Sequence, residues 1–284
     1  MATLKEIEED IDLISTIKDI TGTYQTLANM RVRRIRDEVL KTRTFLEGIA
    51  KIYHHAKTAY LGSLEEGEKL EQASFITRNK KRVTVFLSAN ERFYGTLLLD
   101  TWQRIQHYVR NNTTDLAVVG DIGKRFTEQQ SFDTQVKYFN LDDEHPTQKQ
   151  KRMIFEHIKN YEDVIVFHGR FKSAFRQQPT KTNVSGGITL EQAPDTTKDY
   201  IFEPSPEAIL EFFEEEIIGA LFNQTILEHQ LARFASRMVA MDQATQNADE
   251  KLDNLEHQAT RLKRRVQNKK QLERIIRSKS INKR

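Results

Sequence analysis

The residues best able to do chemistry here are eight histidines: His54, His55, His107, His145, His157, His168, His229 and His257. A metal centre needs two of them one helical turn apart around a glutamate, or a carboxylate at ligand spacing. No such pairing occurs, and ordinary surface and boundary positions account for all eight. Gly120-Asp121-Ile122-Gly123-Lys124-Arg125 has the glycines and lysine of a phosphate-binding loop. That loop requires four residues between its glycines and a Ser or Thr after the lysine, whereas here Arg125 follows Lys124. A strand-to-helix turn is the reading that remains. The dinucleotide fingerprint is also missing, since Ala89-Asn90-Glu91-Arg92-Phe93-Tyr94-Gly95 offers a single glycine. Ser185-Gly186-Gly187 lacks the glycine pattern of a nucleophile elbow. Asp142-Asp143-Glu144, ahead of Pro146, is read as capping the next helix. The expectation is a non-catalytic chain with no cofactor and no metal.

Charge is the stronger signal. The net is only +3, yet the first dozen residues carry Glu6, Glu8, Glu9, Asp10 and Asp12. Near the other end lie Arg261, Lys263, Arg264, Arg265, Lys269, Lys270, Arg274, Arg277, Lys279, Lys283 and Arg284, with Glu273 the one acid among them. A second basic cluster is Arg31, Arg33, Arg34 and Arg36. Solvated faces of a coiled coil are the commoner origin of such runs. An acidic protein partner or phosphate binding also fits, but no aromatic residues interleave to stack bases, so nucleic acid is not expected. The absence of cysteine excludes disulfides and thiolate chemistry and fits a reducing compartment. No apolar run reaches the roughly 18 residues that would span a bilayer. The sequons at Asn111-Asn112-Thr113-Thr114 are read as a polar turn.

These residues are positioned by two kinds of element. From Leu4 the apolar positions Ile7, Ile11, Ile14, Ile17, Ile20, Tyr24, Ala28, Val32, Ile35, Val39, Phe45, Ile49 and Ile52 advance mostly by threes and fours, with slips near Ile17 and before Phe45. That spacing predicts a long helix with a coiled-coil seam. Pro204-Ser205-Pro206-Glu207 predicts a helix start, with Ser205 as N-cap and Pro206 in the first turn. Its opening turns are apolar nearly all round: Ile209, Leu210, Phe212, Phe213, Ile217, Ile218, Leu221 and Phe222. A stripe then follows through Met241, Ala244, Ala248, Leu252, Leu255, Ala259, Leu262 and Val266. Between the helices, strands are expected at 82–88, 115–120, 135–139 and 163–168, with helices at 95–109 and 147–158. A hairpin arm and turn are expected at 172–187, then a loop at 187–199 and a short strand at 200–202. The fold class is therefore mixed (α+β overall): an antiparallel coiled coil of terminal helices with an inserted small Rossmann-like α/β domain. The divisions are 1–60 for the first shaft helix, 61–203 for the α/β domain with its linker and hairpin, and 204–284 for the second shaft helix.

Two segments resemble the gamma subunit of F-type ATP synthases: Tyr200-Ile201-Phe202-Glu203-Pro204-Ser205-Pro206-Glu207, and Ala235-Ser236-Arg237-Met238-Val239-Ala240-Met241-Asp242-Gln243-Ala244-Thr245-Gln246-Asn247-Ala248. The second is highly specific to that family. Support also comes from Ala2-Thr3-Leu4-Lys5-Glu6-Ile7, from 118–126, and from Phe171-Lys172-Ser173-Ala174 with Gln178-Pro179-Thr180. The resemblance implies a torque-transmitting central-stalk rotor whose partners are alpha and beta subunits in a hexamer, an epsilon-like stalk subunit, and a membrane c-ring or equivalent. ATP chemistry and proton transport would belong to the complex, which would sit in the cytoplasm at the inner face of the cell membrane with no direct insertion by this chain. Partner-contact residues would be Tyr24, Arg31, Arg33, Arg34, Arg36, Met238, Met241, Asp242, Thr245, Asn247, Arg261, Arg264 and Arg265. Alternatives are a gamma-like shaft of an F1-like ATPase that drives no proton flow, and a free coiled-coil adaptor or nucleic-acid-binding protein. The chain departs from the family at Gly22-Thr23-Tyr24, at Arg92-Phe93-Tyr94-Gly95-Thr96, and at its basic end, where the family is small and apolar.

Overall fold

The computed structural model describes residues 3–63, 78–130, 132, 134–185, 203 and 205–281. Two helices dominate, α1 (Leu4–Ser63) and α5 (Pro206–Ile281). Between them run β1 (Arg82–Leu87), α2 (Leu97–Asn111), β2 (Asp115–Val119), α3 (Asp121–Glu128), β3 (Val136–Phe139), α4 (Gln148–Ile158), β4 (Asp163–Ser173) and β5 (Arg176–Asn183). The chain divides into two compact units, one made of residues 1–28 with 237–284 and the other of residues 29–236. Both long helices contribute to both units.

In the larger unit the sheet order is β3-β2-β1-β4-β5, parallel except for the antiparallel β4–β5 pair. The central strands are apolar almost throughout because each face is covered. Val83, Val85, Leu87, Ala117, Val119, Val164 and Val166 point to one side, against Ile154 and Ile158 of α4 and Ile218, Phe222 and Ile226 of α5. Phe86, Leu116, Val118, Ile165 and Phe167 point to the other, against Trp102 and Ile105 of α2. The expected strands and helices are present. β4 runs on past the expected 168 to Ser173, and the expected arm and turn lie within 172–187, with the turn at Ala174-Phe175 and β5 as the arm. Residues 186–202, with the expected loop and short strand, lie outside those described.

The turn after β2 needs glycine. Gly120 has φ 97°, and a Cβ there would stand 2.8–2.9 Å from the Ala89 backbone. We expect Gly120→Ala to lower the urea-unfolding stability of this unit by about 2–4 kcal/mol, combining left-handed strain with a backbone clash.

The smaller unit is an antiparallel helix pair. Thr3 and Glu6 exchange backbone-to-side-chain hydrogen bonds and cap the start of α1. Ile7, Leu255 and Ala259 form its buried centre, joined by Leu4, Ile11, Ile14 and Leu262. The expected seam needs correction beyond Ile14. Ile17, Ile20 and Tyr24 are 40%, 51% and 38% exposed, and the seam passes instead through polar residues. Thr21 shares a hydrogen bond with Thr245 (2.8 Å), Gln25 donates to Asp242 (2.7 Å), and Lys18 pairs with Asp249 (2.6 Å). The slip near Ile17 therefore marks a change of stripe while the helix itself stays regular. Phe45, Ile52, Phe212 and Val266, also expected inside, are exposed as well. On α1 of the larger unit, Leu46, Ala50, Ala56 and Tyr60 are buried in their place.

Candidate functional site

In open parallel α/β sheets ligands bind at the carboxyl ends of the strands where the crossovers diverge. Here that place lies between β1 and β4, and α5 fills it. The His229 Nε2–H donates to the Ser88 carbonyl (3.0 Å), and Nδ1 accepts from the Gly169 amide (2.9 Å). Arg233 donates to the same Ser88 carbonyl (3.2 Å) and to the Asp143 carboxylate (2.5 Å). A Cβ at Gly169 would lie 2.8 Å from Leu97 and 3.1 Å from Ala232, so glycine is what lets α5 approach.

Asp143 is the centre of this arrangement. Its carboxylate accepts the backbone amides of Asn90 (3.0 and 3.1 Å) and Glu91 (2.8 Å) and the Tyr94 hydroxyl (3.2 Å), besides the Arg233 guanidinium. Gln230 donates to its carbonyl (3.1 Å), and Arg233 stacks 5.3 Å from the Tyr94 ring. The pair is almost fully buried, at 3% and 4% side-chain exposure. The capping role expected of Asp142-Asp143-Glu144 is therefore corrected. Thr147 caps α4 in a capping box with Gln150, and Asp142 accepts the amides of Glu144 and His145. The start of α3 is likewise occupied, since Asn90 Oδ1 accepts the Asp121 amide (3.0 Å). These two backbone cradles each already hold a side chain of this molecule.

Two histidines depart from the surface and boundary positions expected for all eight. His229 and His168 are buried, and Nε2 of His168 lies 2.8 Å from the Thr182 hydroxyl. Burial lowers both pKa values below the ordinary histidine value, that of His229 strongly, with Arg233 adding to the effect there. Both groups are therefore neutral at pH 7. Unfolding lets them take up protons below about pH 6.5, so the stability they contribute is full above that pH and is lost as pH falls. The urea midpoint should drop between pH 7.5 and 5.5, and His229→Gln should flatten the drop. An equal drop in the variant would assign the acid sensitivity elsewhere.

The residues expected to meet partners separate into two sets. Arg31 is half-buried, ion-paired with Glu144 and stacked 5.2 Å from Phe234. Met241 is buried, while Asp242 and Thr245 face Gln25 and Thr21. Met238 is half-buried. Tyr24, Arg33, Arg34, Arg36, Asn247, Arg261, Arg264 and Arg265 are exposed. One surface went unnoticed in the sequence. Leu13, Ile17, Ile20, Tyr24 and Leu27 are each 38–58% exposed and advance by 4-3-4-3, a second apolar stripe on α1 beside the one that meets α5. The spacing was readable, but both stripes share one period and merged into a single seam.

One unit is a pair of antiparallel helices, and the other is an α/β sheet whose switch-point crevice is filled by α5. A family model described as ATP synthase matches residues 3–273, and the chain belongs to that family, in which the similar curated relatives are ATP synthase gamma chains. The ATP synthase gamma chain of Clostridium botulinum is 24% identical over 273 residues, covering 93% of each chain. That of Rickettsia canadensis is 20% identical over 294 residues, covering 99% of this chain and all of its own. Among solved structures, the rotor of the Euglena gracilis mitochondrial ATP synthase matches with TM-score 0.63 at 15% identity, covering 93% of this chain and 98% of that one. The central stalk and c-ring structure of the Tetrahymena thermophila enzyme contributes a chain matching with TM-score 0.55 at 16% identity, covering 79% and 99%. No helix among the described residues is long and apolar enough to cross a membrane.

Proposed function

We propose that this chain turns inside a hexamer of alpha and beta subunits and carries torque between their catalytic sites and a membrane c-ring or equivalent, with an epsilon-like subunit on the same stalk. The observation that carries this reading is the double stripe of α1. One apolar face pairs with α5, and a second, carried by Leu13, Ile17, Ile20 and Leu27, is exposed. A contiguous exposed stripe of that kind marks an interaction surface. Coupling would then consist of different contact energies between the shaft and each catalytic site in turn. Tyr24, Arg33, Arg34, Arg36, Met238 and Asn247 are the partner-facing residues in this reading. Arg31, Met241, Asp242 and Thr245 act indirectly, by holding the shaft's own packing.

Proton transport by the complex and a position at the inner face of the cell membrane belong to the same proposal. Co-expression with the alpha and beta subunits of the same genome tests it. One copy of this chain per hexamer is expected, and failure to co-purify would sink the reading. Serine at Leu13, Ile17, Ile20 and Leu27 together should leave the helix content of the isolated chain intact while weakening retention in the hexamer by about tenfold or more. Reconstitution with the native membrane sector then separates a pumping complex from one that hydrolyses ATP without moving protons.

A further inference from the structure

A groove lies on the larger unit between α1, α4 and α5. Its volume is about 640 Å³, within the range of small-molecule sites. Phe155 of α4 and Gly219, Ala220 and Phe222 of α5 give it an apolar lining, and the exposed Phe45 and Phe212 border it. Gly219 is what leaves the space open. Glycine is unfavourable in a helix interior. Close packing does not require it here, because a Cβ would meet only the Phe155 ring, at an ordinary 3.6 Å.

Along the groove α4 and α5 run antiparallel, and their side chains change in order from cation to aromatic to neutralised acid. At one end Lys151 is half-buried, and its ammonium donates to Asn223 Oδ1 (2.8 Å). One turn along both helices Phe155 faces Gly219. A further turn along, Lys159 pairs with Glu156 (2.9 Å) and Glu215 (3.0 Å), so those acids are already engaged. Among the described residues Lys151 forms an ion pair with no carboxylate. Burial lowers its pKa below the ordinary lysine value, and Glu38 offsets this only in part. On its other side Lys151 borders a smaller polar cavity that holds Arg34, Glu38 and His145. A charge set back from water without a counter-ion is costly, so this end favours an anion. A monoanion matches the single ammonium, whereas a dianionic phosphate would bring a second negative charge close to Glu38. We propose that the groove binds a single-chain amphiphile with a carboxylate head, the head on Lys151 and the chain along Phe155, Gly219 and Phe222. The site is independent of the rotor reading.

The test is calorimetric titration of the full-length chain with decanoate. One decanoate per chain is expected, bound about tenfold or more tightly than decyltrimethylammonium. Lys151→Met keeps an apolar stem and removes the charge. It should weaken decanoate about tenfold and leave the binding of decanol unchanged or tighter. Gly219→Leu raises helix propensity and fills the groove, so it should weaken both ligands while the circular dichroism stays that of the parent. In the unsubstituted chain decanoate should also slow acetylation of Lys151 by N-hydroxysuccinimidyl acetate several-fold and leave the exposed Lys149 unaffected. That measurement decides the matter if either variant misfolds, and absence of protection overturns the site. No uptake at millimolar decanoate overturns it as well. Unchanged binding in both variants would place the decanoate elsewhere, and equal affinity for the cationic amphiphile would leave a merely apolar patch. Either result rejects the proposal. If decanoate fails to bind while an Asp-bearing amphipathic peptide binds in a Lys151-dependent way, the groove belongs to a protein partner and the amphiphile is wrong.

Discussion

Asp143→Ala should cost the larger unit about 3–5 kcal/mol, because it leaves the Arg233 guanidinium buried without its counter-ion. Trp102, the one tryptophan, sits in the core of that unit and reports its unfolding by fluorescence. The loss also strips the Asn90 and Glu91 amides of their acceptor, so the loop after β1 should loosen along with α5. Adding Arg233→Met should recover much of the stability, since an apolar side chain of similar length removes the unpaired charge. Recovery by the double variant would show that the penalty belongs to the stranded cation. A loss below about 1 kcal/mol for Asp143→Ala would mean that water reaches Arg233 and that the crevice is less tightly closed than its geometry indicates.

Leu255→Asp should be as severe in the smaller unit and should act locally. Its buried apolar cluster is formed by Ile7, Leu255 and Ala259, with Leu4, Ile11, Ile14 and Leu262 around it. Removing a leucine and burying a carboxylate there should cost about 3 kcal/mol or more. That corresponds to roughly a hundredfold rise in local opening. Hydrogen exchange across residues 4–14 and 250–262 should accelerate accordingly, while the Trp102 transition stays in place. In the assembled complex the same substitution should abolish ATP-driven torque. A shift of both units together would show that the two unfold as one.

Much of this molecule was legible before folding. The central strands announced themselves because a strand covered on both faces must be apolar in nearly every position, as at Val83–Leu87 and Val164–Phe167. The helix start at Ser205 was readable from a proline that has no amide to donate and a hydroxyl that can accept one: Ser205 Oγ accepts the Ala208 amide at 3.3 Å. The candidate site was read less well. Asp143 looked like a capping residue because its neighbours in sequence are acids and a proline. Its real partners are Asn90, Tyr94 and Arg233, some fifty to ninety positions away. Likewise His229 lies within a run of α5 buried on nearly all sides, and nothing local marks it as the residue that joins Ser88 to Gly169.

Periodicity and residue type, which act between neighbours in sequence, determined the two long helices, the parallel strands, the absence of a phosphate loop and the basic end of α5. Only the tertiary structure decided which apolar stripe of α1 meets α5 and which faces outward. Two stripes that share a 4-3 spacing are equivalent until a partner helix settles on one, and the settling is done by Thr21, Gln25 and Lys18 finding Thr245, Asp242 and Asp249. The same holds for the crevice between β1 and β4. Whether a switch point receives a ligand or a helix depends on what the chain brings there from a distance, and here it brings His229 and Arg233.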